Sequence, residues 1–195
     1  MGPLIEINDE AISWSKFNLK RSTILPSLVH VVKQTLRFET SPSTRFTKVP
    51  SPYSEKILPP HFGKVSSTHS KKAPAPATHS VAITFVNDVR IRLLNQRFRK
   101  IDRATDILSF PMGEWSRPEG PESSRNTFYQ IFYLGDLVIS LETAARNAKR
   151  YRTSLPDELK RLLIHGTLHL LGYDHQKPAE RTFMRSREAV ISKLL

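Results

Sequence analysis

The sequence contains no cysteine, and this absence removes several kinds of chemistry at once. Disulfide bonds, thiolate metal ligands and thiol nucleophiles are all excluded. The chain also lacks any apolar run approaching the roughly 18 residues of a membrane-spanning helix, and no secretory signal is visible. Any metal site must therefore use nitrogen or oxygen ligands, and we expect no membrane partner.

Acidic residues are scarce relative to basic ones. The 195 residues include 30 Lys plus Arg against 18 Asp plus Glu, which gives a net charge of +12 and a pI of about 10.2. Such a basic balance favours a polyanionic partner such as RNA, although a merely soluble or organellar basic protein would look the same. The length suits one domain with a full core, so we predict a single domain over residues 1–195.

The composition changes between about residues 39 and 78. Ser, Thr, Pro and Lys dominate this stretch, which has too little apolar surface to offset the entropy cost of ordering it. We therefore predict a disordered insertion at 39–78. A second irregular insertion is predicted at 113–127.

Hydrophobic periodicity outside the insertions predicts an alternation of strands and helices. The predicted strands are 4–8, 81–86, 106–110 and 134–139. The predicted helices are 24–36, 89–98, 142–150, one that opens with a capping box at 154–157, and a last one from about 178. We expect Pro26 in the first turn of its helix, and Phe98 and Val190 in the core. The helix after the capping box is predicted to bury a stripe formed by Leu159, Leu162, Leu163, Gly166 and Leu170. The pattern predicts an α+β fold with a mixed four-stranded sheet and several helices.

Residues 165–175 hold three of the seven histidines. His165 and His169 are one helical turn apart and share a face, and Gly172 can take the left-handed conformation that ends a helix. The chain can then bring His175 back to the same point. Three imidazoles with an open coordination position form a catalytic metal site and suit Zn²⁺ better than Mg²⁺. We therefore predict one Zn²⁺ per chain at the end of a central helix.

The same histidine spacing occurs in metalloproteases, so peptide hydrolysis is an alternative interpretation. The metzincin proteases have H-E-x-x-H-x-x-G-x-x-H, and the Glu after the first histidine is their general base. This chain has Gly166 in that place. The ligands are kept and the base is missing, which disfavours peptide hydrolysis.

The histidine motif and further segments resemble the YbeY family of endoribonucleases and rRNA maturation factors. Residues 165–175 match H-G-x-L-H-L-x-G-Y-D-H. Residues 94–99 and 104–111 are similar to the family's L-N-x-x-[YF]-R and P-T-D-V-L-S-F-P segments, and residues 134–140 to its L-G-D-I-V-I-S strand. Ala104 departs from the family's common proline.

The resemblance covers most of residues 1–36 and 79–195. It implies a zinc-dependent endoribonuclease, specific for single-stranded RNA, in rRNA maturation and ribosome quality control. Ribosomal precursor RNA is then the expected partner, with ribosomal small-subunit proteins as candidates. Arg99 matches the family's functionally important arginine and, with His165, is the predicted catalytic pair. The long insertion suggests a eukaryotic member, so we expect a mitochondrial location without a cleaved presequence, or else a cytoplasmic one.

The proposed chemistry assigns roles to several further residues. A bound zinc ion would supply hydroxide near neutral pH, and Arg99 is predicted to stabilise the charge that builds on the phosphodiester. Arg97 and Lys100 are predicted to bind RNA beside it. Asp136 or Asp174 could orient a ligating imidazole, and each could equally be a cap or turn residue. No general base is evident, and either the ribose 2′-OH or a metal-bound water could attack.

Two other classes of function stay open. The first is a non-catalytic, RNA-binding ribosome assembly factor in which the metal serves structure. The second is a metalloprotease-like hydrolase, which Gly166 disfavours. A fourth protein ligand that completes the coordination of the metal would favour the assembly factor. An open fourth coordination position beside Arg99 would favour the nuclease.

Overall fold

A computed structural model describes residues 3–9, 12–40, 77–112 and 130–195. Within these ranges the strands are β1 (Leu4–Asn8), β2 (Ala77–Val86), β3 (Ile107–Pro111) and β4 (Gln130–Ser140). The α-helices are α1 (Arg21–Thr40), α2 (Asp88–Arg99), α3 (Leu141–Tyr151), α4 (Leu155–Leu170) and α5 (Pro178–Lys193). A short 3₁₀ helix, Trp14–Phe17, precedes α1. None of the helices in these ranges is long and apolar enough to cross a membrane.

The strands form one mixed sheet in the order β1-β2-β4-β3. β2 pairs in parallel with both β1 and β4, whereas β3 pairs antiparallel with β4. The predicted α+β fold with a mixed four-stranded sheet is therefore confirmed. Among the strands that the structure describes, β3 is an edge strand at one margin of the sheet and pairs with β4 alone.

The two faces of the sheet carry cores of different size. Successive side chains of a strand point to opposite faces, so Ile107 and Leu108 of β3 face different layers. Ile107 belongs to the large core that α1, α3, α4 and α5 complete. Leu108 belongs to a smaller cluster with Ile91 of α2. Helices α2 and α4 therefore pack on opposite faces of the sheet.

Helix α4 is the central element of the large core. A Cβ on Gly166 would lie 2.7 Å from Cδ1 of Ile107 and 2.8 Å from Cδ2 of Leu137. The absence of a side chain is what lets the helix approach β3 and β4 this closely. The predicted core stripe is confirmed, since its members are all buried: Leu159, Leu162, Leu163, Gly166 and Leu170.

The expected position of Pro26 is wrong. Helix α1 begins at Arg21, three residues before the predicted start at 24, so Pro26 lies inside the helix and not in its first turn. A proline there removes one backbone hydrogen bond. Pro26 is exposed, so water can reach the carbonyl group that is left without its donor.

Two residues expected in the core are exposed. Phe98 is 55% exposed and Val190 is 43% exposed. On α2 the buried positions are Ile91 and Asn95, and Phe98 lies in the last turn, beyond them. On α5 the buried positions are Met184 and Ile191. Val190, the neighbour of Ile191, is rotated from it by about 100° around the helix axis, which turns Val190 towards solvent.

The insertion predicted at 39–78 is bounded more tightly by the fold. Helix α1 continues to Thr40 and β2 starts at Ala77, so residues 39, 40, 77 and 78 belong to regular elements. The rest of that insertion lies outside the described residues, and so does the one predicted at 113–127. Glu39, the first residue of the predicted insertion, is ordered because it forms hydrogen bonds with α5 and with the loop after α4.

Glu39 connects the end of α1 to α5 and to the loop after α4. Its carboxylate accepts hydrogen bonds from the hydroxyl of Tyr173 at 2.6 Å and from Nε and Nη2 of Arg187 at 3.0 and 3.1 Å. The Arg187 guanidinium also lies 4.8 Å from the ring centroid of Phe38. Burial, and then the charge of Glu39, raise the pKa of Tyr173, so its hydroxyl stays a donor.

Glu39→Ala is expected to lower the free energy of unfolding by about 3–5 kcal/mol, because it leaves a buried cation without its partner. The side chains of Arg187 and Glu39 are only 13% and 5% exposed. Urea unfolding followed by circular dichroism measures the loss. Asp102→Ala is the control, since its pair with Arg92 is about half exposed and should contribute less than about 1 kcal/mol. Equal losses in both variants would contradict this account.

Candidate metal centre

The structure brings His165, His169 and His175 together. Their ligand nitrogens all lie within 4.8 Å of one another. The two Nε2 atoms of His165 and His169 are 3.1 Å apart, and the ring of His175 is centred 5.5 and 4.9 Å from theirs. Among the described residues, this group consists of the three histidines alone.

The turn that follows α4 returns His175 to the other two histidines. Gly172 has a φ of 88°, the left-handed conformation that glycine adopts without strain. The amide of Gly172 donates to the carbonyl of His169 at 3.0 Å, and the amide of Tyr173 donates to the carbonyl of Leu168 at 3.0 Å. The predicted helix stop at Gly172 is confirmed.

The orientation of two imidazole rings is set through their Nδ1 atoms. Nδ1 of His169 lies 2.8 Å from the backbone oxygen of Tyr173, which can only accept, so Nδ1 carries the proton. Nδ1 of His165 lies 2.6 Å from Oε1 of Glu188. With the Nδ1 atom of each ring engaged, the two Nε2 atoms are the nitrogens left to face a shared metal ion. Burial and the nearby His165 and His175 lower the pKa of His169 to about 4, which keeps it neutral.

This geometry fits a zinc ion. With zinc–nitrogen distances of 2.0–2.1 Å, two ligands of a tetrahedral ion lie ~3.3 Å apart. The separation of 3.1 Å between the Nε2 atoms of His165 and His169 is close to that value. Three neutral imidazoles are also the donor set of catalytic zinc sites.

Neither predicted aspartate orients an imidazole. Asp174 accepts a hydrogen bond from the backbone N–H of His175 at 2.7 Å, so it is a turn residue. Asp136 precedes Leu137, which contacts α4, and therefore points to the opposite face of the sheet. There it bonds to Tyr133, whose pKa burial and this contact raise to about 12.

Glu188 has the orienting role that sequence reasoning gave to the aspartates. It lies on α5 four residues after Met184 and three before Ile191, both of which are buried. A carboxylate on the buried face of a helix is costly unless it has a partner. The position of Glu188 between two buried residues indicates in the sequence that its carboxylate has a partner, but it does not reveal that this partner is His165.

The predicted RNA-binding residues lie across the sheet from the histidines. Arg97 and Arg99 occupy the last turn of α2, and Lys100 ends the helix in the left-handed conformation with a φ of 61°. All three are exposed. Because α2 and α4 pack on opposite faces, the margin strand β3 separates these cations from the metal centre.

Sequence reasoning missed a second arginine, which is close to the histidines. Arg161 precedes His165 by one turn of α4 and shares its face. Its Nε and Nη2 donate to the buried Glu158 at 2.9 and 2.7 Å, and Nη2 lies 3.6 Å from Asp106. Its pKa is raised, above all by the bond to Glu158 and in part by the charge of Glu188. These contacts place Arg161 in an ion-pair network with two carboxylates, one helical turn from His165.

A three-histidine cluster at the end of a helix, packed on a mixed sheet, has the donor set of a site that can hold a catalytic metal ion. Residues 53–195 match the family model described as "Endoribonuclease YbeY". Since this match includes most of the chain and all three histidines, the protein belongs to the YbeY family.

Individual relatives agree with that membership. The endoribonuclease YbeY of Anaeromyxobacter sp. (strain Fw109-5) is 45% identical over 117 residues, which are 60% of this chain and 55% of the relative. That of Aquifex aeolicus is 43% identical over 116 residues, 58% of this chain and 69% of the relative. The chain thus spans about half the length of the two Anaeromyxobacter relatives, 55% and 52%.

A solved structure supports the fold. The solution structure of a Thermotoga maritima protein aligns with 97% of this chain and 87% of its own, with a TM-score of 0.50 and 21% identity. At this identity the likeness concerns the fold alone.

Proposed function

We propose that the protein is a zinc-dependent endoribonuclease that cuts single-stranded RNA during the maturation of ribosomal RNA. The observation that carries the proposal is the convergence of the Nε2 atoms of His165 and His169, 3.1 Å apart, while both Nδ1 atoms are engaged. Membership of a family described as endoribonucleases and a net charge of +12 support RNA as the substrate.

The residues of the site divide into metal ligands and residues that orient them. His165, His169 and His175 would hold the ion. When bound, zinc lowers the pKa of a coordinated water to about 7 and stabilises charge on a phosphoryl oxygen. Glu188 holds the His165 ring, and the carbonyl of Tyr173 holds that of His169.

One arginine is available for the charge that develops on the phosphate. Arg99 is exposed at the end of α2, so a flexible RNA strand that passes over the margin of β3 can meet it. We propose that Arg99 clamps a phosphate oxygen with a charge-assisted hydrogen bond. Arg161, on the metal side of the sheet, is already paired with Glu158 and lies 3.6 Å from Asp106, so its charge is balanced within the protein.

Labelled RNA and casein, each with and without a chelator, test the proposal. We expect chelator-sensitive cleavage of single-stranded RNA, weaker activity on duplex RNA and none on casein. Chelator-sensitive cleavage of casein with intact RNA would refute the proposal. Binding of RNA without cleavage, with zinc present, would favour the non-catalytic assembly factor. The mitochondrial location stays a prediction, which imaging of a tagged chain can check.

Glu188→Gln is expected to weaken zinc binding by about 10- to 100-fold, because a neutral amide supports the His165 ring less strongly than a carboxylate does. Competition with a chromophoric chelator measures the affinity. Glu180→Gln on the same helix is the matched control, since glutamine preserves a capping box. Unchanged zinc affinity in Glu188→Gln would show that the 2.6 Å contact does not support the metal site.

A further inference from the structure

The end of α2 presents an aromatic ring to solvent. Phe98 is 55% exposed, although the periodicity of α2 places it on the side that faces the sheet. Its ring centroid lies 5.0 Å from that of Phe110 at an interplanar angle of 68°. This edge-to-face contact holds Phe98 in place from one side. The guanidinium of Arg97 lies 5.4 Å from the Phe98 centroid.

The surroundings of this ring are positively charged. Arg97, Arg99 and Arg103 are exposed and form no ion pair within the part of the chain that the structure describes. The nearest acidic residue in the sequence, Asp102, is already held by Nε and Nη2 of Arg92 at 2.7 and 2.8 Å. The cations around the ring are therefore available to phosphate groups.

A short path connects the ring to the metal centre. Phe110 and Ser109 are consecutive on β3, so their side chains lie on opposite faces of the sheet. Ser109 Oγ is 3.3 Å from the position of a Cβ on Gly166, the residue after His165. Since β3 is the edge strand at this end of the described sheet, a flexible polyanion can pass from one face of the sheet to the other around this strand.

We propose that Phe98, supported by Phe110, is a stacking platform for one base of a single-stranded RNA. The exposed ring offers the surface on which an unpaired base stacks, and Arg97 and Arg99 bind the flanking phosphates. A protein partner would also accept an exposed apolar ring, but the unpaired cations favour RNA. The proposal rests on the proposed function and names the feature of the substrate that is recognised, which is an unstacked base.

The test measures binding without turnover. Full-length protein kept free of metal by a chelator is titrated into a short single-stranded RNA that carries 2-aminopurine, whose fluorescence falls when a ring stacks on it. We expect quenching with the natural chain and with Phe98→Tyr. With Phe98→Leu we expect the quenching to disappear and the Kd to rise about ten-fold or more. A duplex of the same sequence should show little quenching.

Tyr151→Leu is the matched control. Tyr151 is also at the end of a helix, is 59% exposed and has the guanidinium of Arg150 5.8 Å from its ring, but it is not on the path across β3. It should leave quenching and Kd unchanged. If Phe98→Leu unfolds, Phe98→Trp gives the second measurement, because its own fluorescence should change on RNA binding.

Three outcomes would overturn the platform. The first is unchanged 2-aminopurine quenching in Phe98→Leu, and the second is an equal loss of quenching in Phe98→Leu and Tyr151→Leu. The third applies if Phe98→Leu unfolds, and it is a fluorescence of Phe98→Trp that does not change when RNA binds. If the protein cleaves RNA but Phe98→Leu quenches and binds as the natural chain does, the nuclease proposal stands and the platform is disproved. If a base stacks on Phe98 but the zinc-loaded chain cleaves no RNA, the platform stands and the nuclease proposal is disproved.

Discussion

Replacement of His165 and His169 together by alanine is expected to abolish tight zinc binding and RNA cleavage. The two Nε2 atoms, 3.1 Å apart, form the centre of the cluster, and His175 alone cannot chelate an ion. Elemental analysis should find about one equivalent of zinc in the natural chain and none in the variant. The rate of RNA cleavage should fall to background, because the metal-activated nucleophile is lost.

The variant should remain folded in the absence of metal, since both histidines are only half-buried. A bound ligand stabilises a fold by about 2.7 kcal/mol at a free concentration of 100 times its Kd. Zinc should therefore raise the Tm of the natural chain and not that of the variant. His30→Ala, an exposed change on α1, is the control that should keep its zinc. Full zinc content in the double variant would disprove the ligand assignment.

Gly166→Glu is expected to prevent folding, although it would complete the H-E-x-x-H protease motif. Position 166 faces the sheet and not the metal centre, and even a Cβ there lies within 3 Å of Ile107 and Leu137. A carboxylate buried without a partner, added to the overlap, should cost more than about 4 kcal/mol. A loss of this size is most of the stability of a domain at the lower end of the usual range, roughly 5–15 kcal/mol. Loss of soluble protein and of the far-ultraviolet helical signal would show it.

Gly166→Ala tests the steric overlap of a Cβ with the sheet without adding a buried carboxylate. Alanine favours a helix by about 1 kcal/mol over glycine, while overpacking costs about 1–3 kcal/mol. The atoms it meets are the flexible ends of Ile107 and Leu137, so the net loss should stay below about 2 kcal/mol. Lys160→Glu, on the accessible side of α4, should be tolerated. A folded Gly166→Glu protein that cleaves casein would revive the protease hypothesis.

Local patterns were sufficient for the elements and for the three ligands. Strand alternation and helical periodicity depend on neighbouring residues alone, so the four strands and the buried stripe of α4 were predictable. The meeting of His165, His169 and His175 was predictable for the same reason. It needs only the spacing of a helical turn and the left-handed conformation of Gly172, with no contact from a distant part of the chain.

Tertiary packing decided the rest of the site. Glu188 meets His165 from a helix that is 23 residues away in sequence, and Glu39 meets Arg187 across 148 residues. No local period encodes such pairs. For that reason the sequence favours Asp136 and Asp174 as the residues that orient an imidazole and does not single out Glu188.

The placement of α2 depended on packing too. The sequence predicted its helical form but not its position on the face of the sheet opposite α4, nor that Phe98 would be exposed beside β3. Hydrophobic periodicity shows which side of a helix is apolar, but not how far the neighbouring sheet extends to cover it. The sequence therefore determined the elements and the metal ligands, while long-range packing decided which residues orient those ligands and where the basic surface lies.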